Sequence, residues 1–144
     1  MTQPVQTNVT NASGRVPVLN CRDRQILLRA AQLVFCAAFV FTFVSAVMPP
    51  HQAPKLFPWD KAEHFAAFYT LTVLASVAFP RRNLILIAVL LSAFGGVIEL
   101  VQALPIVGRD CDVRDWIADT LAVIAALAPI VAAHWRTLIR NSAR

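Results

Sequence analysis

Four stretches of this chain carry almost no charge: residues 30–48, 65–79, 84–104 and 116–135. Their apolar residues run in blocks, not at the three-to-four-residue spacing of an amphipathic soluble helix. A bilayer core of about 30 Å is crossed by about 20 residues of helix, a length that the first, third and fourth stretches meet directly. The second meets it when its helix is counted from Pro58 and Trp59. Proline suits a first helical turn, where its missing N–H has no intrahelical partner to lose. The pattern therefore predicts an all-α fold, a four-span transmembrane helical bundle with spans at about 27–48, 59–79, 84–104 and 116–135. Trp59, Trp116 and Trp135 fall near span ends, where amphipathic indoles favour the interface.

The polar residues outside these spans set the organisation. Residues 1–22 lack apolar periodicity and contain Pro4, Gly14 and Pro17, so they read as a mobile polar tail. The sequons at Asn8 and Asn11 read as chance matches within it. Residues 23–137 form the four-helix transmembrane domain, and 138–144 a short basic tail. A competing reading takes Arg22, Arg24, Arg29 and the following apolar run as a signal peptide cut near Val44-Ser45-Ala46. The run is long for that purpose, and three further spans follow. Composition agrees with lipid as the solvent: 58% of residues are hydrophobic and the mean hydropathy is +0.61. A soluble domain of 144 residues has too much surface for its volume to hide that fraction.

Charge gives an orientation. Arg15, Arg22, Arg24, Arg29, Arg81, Arg82, Arg136, Arg140 and Arg144 fall on one side, and Lys55, Lys61, Arg109 and Arg114 on the other. Short cytoplasmic segments are enriched in Lys and Arg, so both termini are expected in the cytoplasm. The net charge of +5 then follows from topology, and no nucleic-acid partner is needed. The acids take the opposite side. Asp60, Glu63, Asp110, Asp112 and Asp115 lie in or beside the outer loops, Glu99 and Asp119 lie within the outer ends of two spans, and only Asp23 is cytoplasmic.

Antiparallel spans bring three clusters to that outer face. Asp60, Lys61 and His64 open the second span, with Asp60 and His64 four apart on one helix face. Glu99 and Gln102 close the third. Arg109, Asp112, Asp115 and Asp119 surround the start of the fourth. Glu99 stands about 9 Å of helical rise before Pro105. A charged side chain at the centre of a bilayer costs about 2.5–3.5 kcal/mol on insertion scales, less near the interface. Glu99 should therefore face the bundle interior and find a partner, for which Arg109, Lys61 and His64 are the candidates.

Two chemistries compete for this face. In a polar clamp, Arg109 pairs bidentately with Glu99 or Asp115, Asp112 caps the fourth helix, and Gln102 and Thr120 bond between helices. In a functional site, Asp60, His64, Glu99, Asp115 and Asp119 are the catalytic candidates, with Lys61, Gln102, Arg109 and Asp112 as binding or structural groups. A divalent cation is the candidate cofactor, with His64, Glu99, Asp115 and Asp119 as its ligand set, although no compact motif such as H-E-x-x-H is present. His51 and His134 lie apart from it. Cys21, Cys36 and Cys111 are too dispersed to form a disulfide, and acidic neighbours disfavour a Cys111 thiolate. Ser92, Ala93, Gly95 and Gly96 form a small-residue patch that admits a close helix neighbour, Pro129 is a kink site, and Phe65, Phe68 and Tyr69 read as packing or lipid contacts.

At these same clusters the sequence resembles the VanZ-like family of bacterial integral membrane proteins. The resemblance lies in Asp60-Lys61-x-x-His64-Phe65-x-Ala67, Glu99-x-x-Gln102 and Gly108-Arg109 followed by Asp115, in that order across about residues 58–122. Asp119 stands where that family usually has Asn, Ala122 where it usually has Gly, and Phe68 where it usually has Tyr. The resemblance implies a multi-pass protein of the bacterial plasma membrane, linked through the family's namesake to teicoplanin resistance, without an established biochemical activity. The leading expectation is an envelope-associated protein in contact with the lipid bilayer, binding or modifying a lipid-linked or cell-wall ligand at its outer face. A non-catalytic assembly or accessory protein and a small proton-coupled transporter component are the alternatives. Whether the chain is an enzyme, and its oligomeric state, stay open.

Overall fold

The computed structural model describes residues 20–49, 52–53, 57–109 and 111–142. Of the tail expected over residues 1–22, the part up to residue 19, with its sequons and Arg15, lies outside the described residues, as do His51, Lys55, Asp110 and Arg144. Among the described residues there are four helices and no strand: α1 (Cys21–Val47), α2 (Asp60–Ala78), α3 (Leu84–Gln102) and α4 (Val113–Ser142).

Local chemistry sets the helix starts. Asn20 caps α1, its side-chain oxygen accepting the Asp23 N–H at 2.8 Å. The helix therefore begins ahead of the span expected from residue 27 and takes in Cys21 and Arg22 from the expected tail. Asn83 caps α3 in the same way, accepting the Ile85 N–H at 2.8 Å. Trp59 precedes α2 with no side-chain cap, and Glu63 reaches back to accept the Phe57 N–H at 3.0 Å. At the far end, α4 continues through Pro129 to Ser142, into the segment expected as a basic tail.

Three helices, α1, α3 and α4, are long and apolar enough to cross a membrane. α2 has the same 19 residues as α3 but opens with Asp60, Lys61, Glu63 and His64. It is also the helix that packs against all three others together with α3, whereas α1 and α4 do not touch among the described residues. The bundle is thus a rhombus in section, with α2 and α3 across its short diagonal.

Phe68, Leu71 and Ala75 of α2, Ile87, Leu91 and Ile98 of α3, and Ala122, Val123 and Leu127 of α4 form the core. α1 buries no residue fully, but Phe39 stacks on Phe94 of α3 with ring centroids 4.0 Å apart. The small-residue patch of α3 meets α4. Ser92 Oγ lies 2.9 Å from Thr120 Oγ1, and Trp116 Nε1 donates to the Ser92 carbonyl at 2.9 Å. Apolar side chains also cover the outside: Leu33 is 72%, Ile85 71% and Leu100 71% exposed. In water such a surface is a liability; in lipid it is the solvent-matched face.

Two bonds fix how the ends align. Gln32 Nε2 donates to the Ala78 carbonyl at 3.3 Å, joining the N-terminal half of α1 to the last turn of α2. Gln102 Nε2 donates to the Ala46 carbonyl at 2.9 Å, joining the ends of α3 and α1. Neighbouring helices therefore alternate in direction, and the end of α1, the start of α2, the end of α3 and the start of α4 share one end of the bundle.

Burial inside the bundle, not hydrophobicity alone, should set mutational cost. Leu71→Ala, at a site 1% exposed, is expected to destabilise by about 2–5 kcal/mol. Leu90→Ala, at a site 60% exposed, should stay within about 0.5 kcal/mol. Denaturant titration in micelles checks both, and equal losses would refute this packing.

Candidate functional site

The shared end is organised around the first residues of α4. Asp112 caps that helix as expected, its Oδ1 accepting the Arg114 N–H at 2.9 Å. Its other oxygen accepts from Lys61 Nζ at 2.8 Å, and its own N–H donates to Glu99 Oε2 at 3.0 Å. Lys61 Nζ also reaches Asp115 Oδ1 at 2.7 Å. One short segment thus joins α2, α3 and α4. The Lys61 hydrogen bond, followed by the Arg114 N–H, holds the Asp112 carboxyl below its ordinary value. The Asp112 side chain is 40% exposed, which screens its pairing with Lys61, while Asp115 is 7% exposed and leans on that ammonium more heavily.

Glu99 is buried, as its depth required, but its partner differs from the expected cations. It takes the Asp112 backbone N–H because the cations are already engaged: Lys61 with Asp112 and Asp115, and Arg109 with α1. The expected bidentate pairing of Arg109 with Glu99 or Asp115 is likewise replaced. Arg109 Nη1 donates to the carbonyls of Ala46 at 2.7 Å and Ser45 at 3.2 Å. The last carbonyls of a helix have no intrahelical donor, and α1 has no basic residue in its last turn, so a guanidinium from another segment suits that end. Gly108, at φ 63°, turns the chain immediately before it through a region open to glycine. Arg109 Nη2 lies 4.0 Å from Asp60 Oδ1. Nearby, Cys111 is exposed, and partial desolvation with the Glu99 carboxylate raises its thiol above the ordinary value.

Deeper in the bundle, His64 Nδ1 lies 3.1 Å from Asp119 Oδ1. The two side chains are 10% and 0% exposed. An aspartate oxygen facing Nδ1 selects the tautomer with its proton there, leaving Nε2 as the lone-pair nitrogen of a neutral ring. Asp119 fits at this depth because it lies over Gly95 of α3: a Cβ built at residue 95 would stand 2.7 Å from Asp119 Oδ2 and 3.2 Å from its Cβ. Asp119 Oδ2 and Glu99 Oε1 are buried with no hydrogen-bond partner among the described residues. A buried carboxylate oxygen left without a partner is costly, so such atoms are unusual in a structure built for stability alone.

Of the expected metal set, the structure brings together only His64 and Asp115, with Asp60 as the third member. One potential ligand atom from each lies within 4.8 Å of the others. Glu99 and Asp119 fall outside the trio, Glu99 bound to the α4 cap and Asp119 behind the His64 ring. Such a trio could hold a divalent cation. Against that, Asp60 is 57% exposed and Asp115 is already neutralised by Lys61.

Beside this constellation a cavity of about 310 Å³ opens between α1 and α2. Ala38, Phe41 and Thr42 form one wall, and Ala67, Thr70 and Leu71 the other, with Asp60, Glu63, His64 and Arg109 at its polar end. Neither this cleft nor the role of Gly95 beneath Asp119 was foreseen. Helix-face counting places each residue on its own helix, but only the packing shows which faces meet.

No protein-family model, no curated protein and no solved structure matches this chain.

The Gly95–Asp119 contact gives a steric expectation. Gly95→Ala should destabilise by about 1–3 kcal/mol, because the Asp119 side chain must move and cannot simply tip its outer atoms. Gly96→Ala, whose Cβ would meet nothing nearer than Trp116 Nε1 at 3.7 Å, should be close to neutral. A double-mutant cycle with Asp119→Ala, read by thermal unfolding in detergent, should recover most of the Gly95→Ala loss. Full additivity would refute the contact.

Proposed function

We propose that this chain is an envelope-associated, four-span protein of the bacterial plasma membrane, with both termini in the cytoplasm, whose outer end binds a lipid-linked or cell-wall ligand. The observation that carries this reading is the cleft between α1 and α2, with apolar walls that end at Asp60, His64 and Arg109. Clefts of a few hundred cubic ångströms with mostly apolar walls and a few convergent polar groups are the usual form of small-molecule sites. The buried His64–Asp119 pair and the unpartnered oxygens of Glu99 and Asp119 support a site at this end over a purely structural one.

α2 serves as the fourth span. Its charged first turns lie level with the ends of the other helices, and its later turns are packed among them. The distribution of Arg and Lys supports cytoplasmic termini. The ordered VanZ-like resemblance supports the envelope setting and a link to glycopeptide resistance. A second reading, a non-catalytic assembly or accessory role, is favoured by the clamp in which Lys61 and Arg109 hold helix ends together.

Orientation is checked with thiol chemistry. A membrane-impermeant maleimide applied to cells with a permeabilised outer layer should label Cys111 and leave Cys21 untouched, both being exposed in the fold. Labelling of Cys21 alone would invert the topology. For function, lipid and cell-wall precursors are profiled in a deletion strain complemented with wild type, Glu99→Gln, His64→Ala or Asp115→Asn. Accumulation of a precursor that wild type clears and the variants do not, at unchanged membrane abundance, is the expected result. If function and abundance fall together, the clamp reading replaces this one.

A further inference from the structure

We infer that Arg29, Arg81 and Arg82 form a docking surface for the phosphate head of an anionic phospholipid. They lie at the end of the bundle opposite the polar mouth of the cleft, so the inference stands apart from the ligand reading of that mouth.

Position selects these three arginines. The turn that joins α2 to α3 is closed by the Arg82 N–H, which donates to the Phe79 carbonyl at 2.9 Å. Two contacts bring α1 to this turn: Gln32 bonds the Ala78 carbonyl, and Phe35 meets Phe79 edge-on with ring centroids 5.5 Å apart. Arg29 stands one turn before Gln32, on the same helix face and about 4.5 Å further toward this end. It is therefore level with Arg81 and Arg82, and all three are exposed. The other arginines of this end stand off. Arg24 precedes Gln32 by more than two helical turns, about 12 Å of rise, and Arg22 lies further still. On α4, the Ser92–Thr120 bond sets Ala128 level with Leu84 at the start of α3. Arg136 and Arg140 project about 12 Å and about 18 Å beyond that level.

Nothing in the chain neutralises the trio. None of the three side chains has an ion pair or a hydrogen bond among the described residues. The one described acid at this end is Asp23, which sits between Arg22 and Arg24 and not beside the turn. Residues 1–19 and 143–144 contain no Asp or Glu that could serve instead. The other described acids gather at the far end, where α2 starts about 27 Å of helical rise away, well past a Debye length of about 8–10 Å. Three guanidinium groups are thus left for an anion from outside the chain. Their planar forks match the free oxygens of a phosphate. The surroundings then choose a lipid as its carrier: Val77 and Ile85, 57% and 71% exposed, flank the turn with apolar surface. An amphiphile meets both the charge and the apolar flank, whereas a soluble anion or an acidic peptide meets only the charge.

The test uses the full chain in an uncharged detergent, with native mass spectrometry counting bound lipid as phosphatidylglycerol or phosphatidylcholine is titrated in. Both carry the phosphate, and phosphatidylcholine cancels its charge with a quaternary ammonium. Phosphatidylglycerol should be retained the more strongly. Arg29→Gln, Arg81→Gln and Arg82→Gln should each weaken its retention about fivefold, the scale of one basic residue near an anionic head group. Arg24→Gln, Arg136→Gln and Arg140→Gln combined remove three charges from the same end and should leave retention as in wild type. All six positions are exposed, and unchanged thermal unfolding checks that each variant is folded. If the combined variant loses retention as the single ones do, the attraction is diffuse and the trio is overturned. If the two lipids are retained alike, the anionic head group is overturned. If millimolar inorganic phosphate displaces phosphatidylglycerol, the surface serves a soluble anion and the lipid assignment falls.

Discussion

Asp112 is bonded in three directions at once, and the end of the bundle is organised by that fact. Its N–H goes to Glu99, its two carboxylate oxygens go to the α4 backbone and to Lys61, and Lys61 carries the link on to Asp115. A helix that starts near a bilayer surface has several N–H groups without intrahelical partners, and leaving them dry is expensive. Here the residue that satisfies one of them also fixes the heights of α2 and α3 relative to α4. Register along three helices is thereby set by a few bonds within one segment.

The same constraint acts at the end of α1, with the sign reversed. Its last carbonyls need donors, and Arg109 and Gln102 supply them from the α3–α4 connection and from α3. α1 does not touch α4 and has no fully buried residue, so these polar bonds, its packing on α2 and its phenylalanine contacts fasten it. The cleft opens between α1 and α2 beside this polar attachment, while at the other end Gln32 and Phe35 hold α1 to the end of α2. Polar anchoring and an apolar recess are two results of one arrangement.

Much of the fold was legible in the sequence because bilayer thickness is a ruler: uncharged runs of the right length became α1, α3 and α4, with α3 starting at the expected Leu84, whereas the Asn20 cap starts α1 ahead of the expected residue 27. Of the site, the convergence of the three clusters was legible, since alternating helices must return the same ends to one side. The Asp112 cap followed from local chemistry, and Gln102 and Thr120 bond between helices as expected, although their partners, the Ala46 carbonyl and Ser92, were not legible. The pairing within the cluster was not legible. Arg109 and Lys61 are long, and both had several acids within reach on paper. Competition decided it: unsatisfied carbonyls of α1 took Arg109, and the start of α4 took Lys61, which left Glu99 to a backbone N–H.

Gly95 and Asp119 share one small volume across two helices, the hydrogen of the first making room for the carboxylate of the second. A side chain at 95 would push the Asp119 carboxylate aside, and with it the oxygen that faces His64 Nδ1. The room left at 95 and the depth of the carboxylate at 119 are therefore a single constraint, shared by two helices.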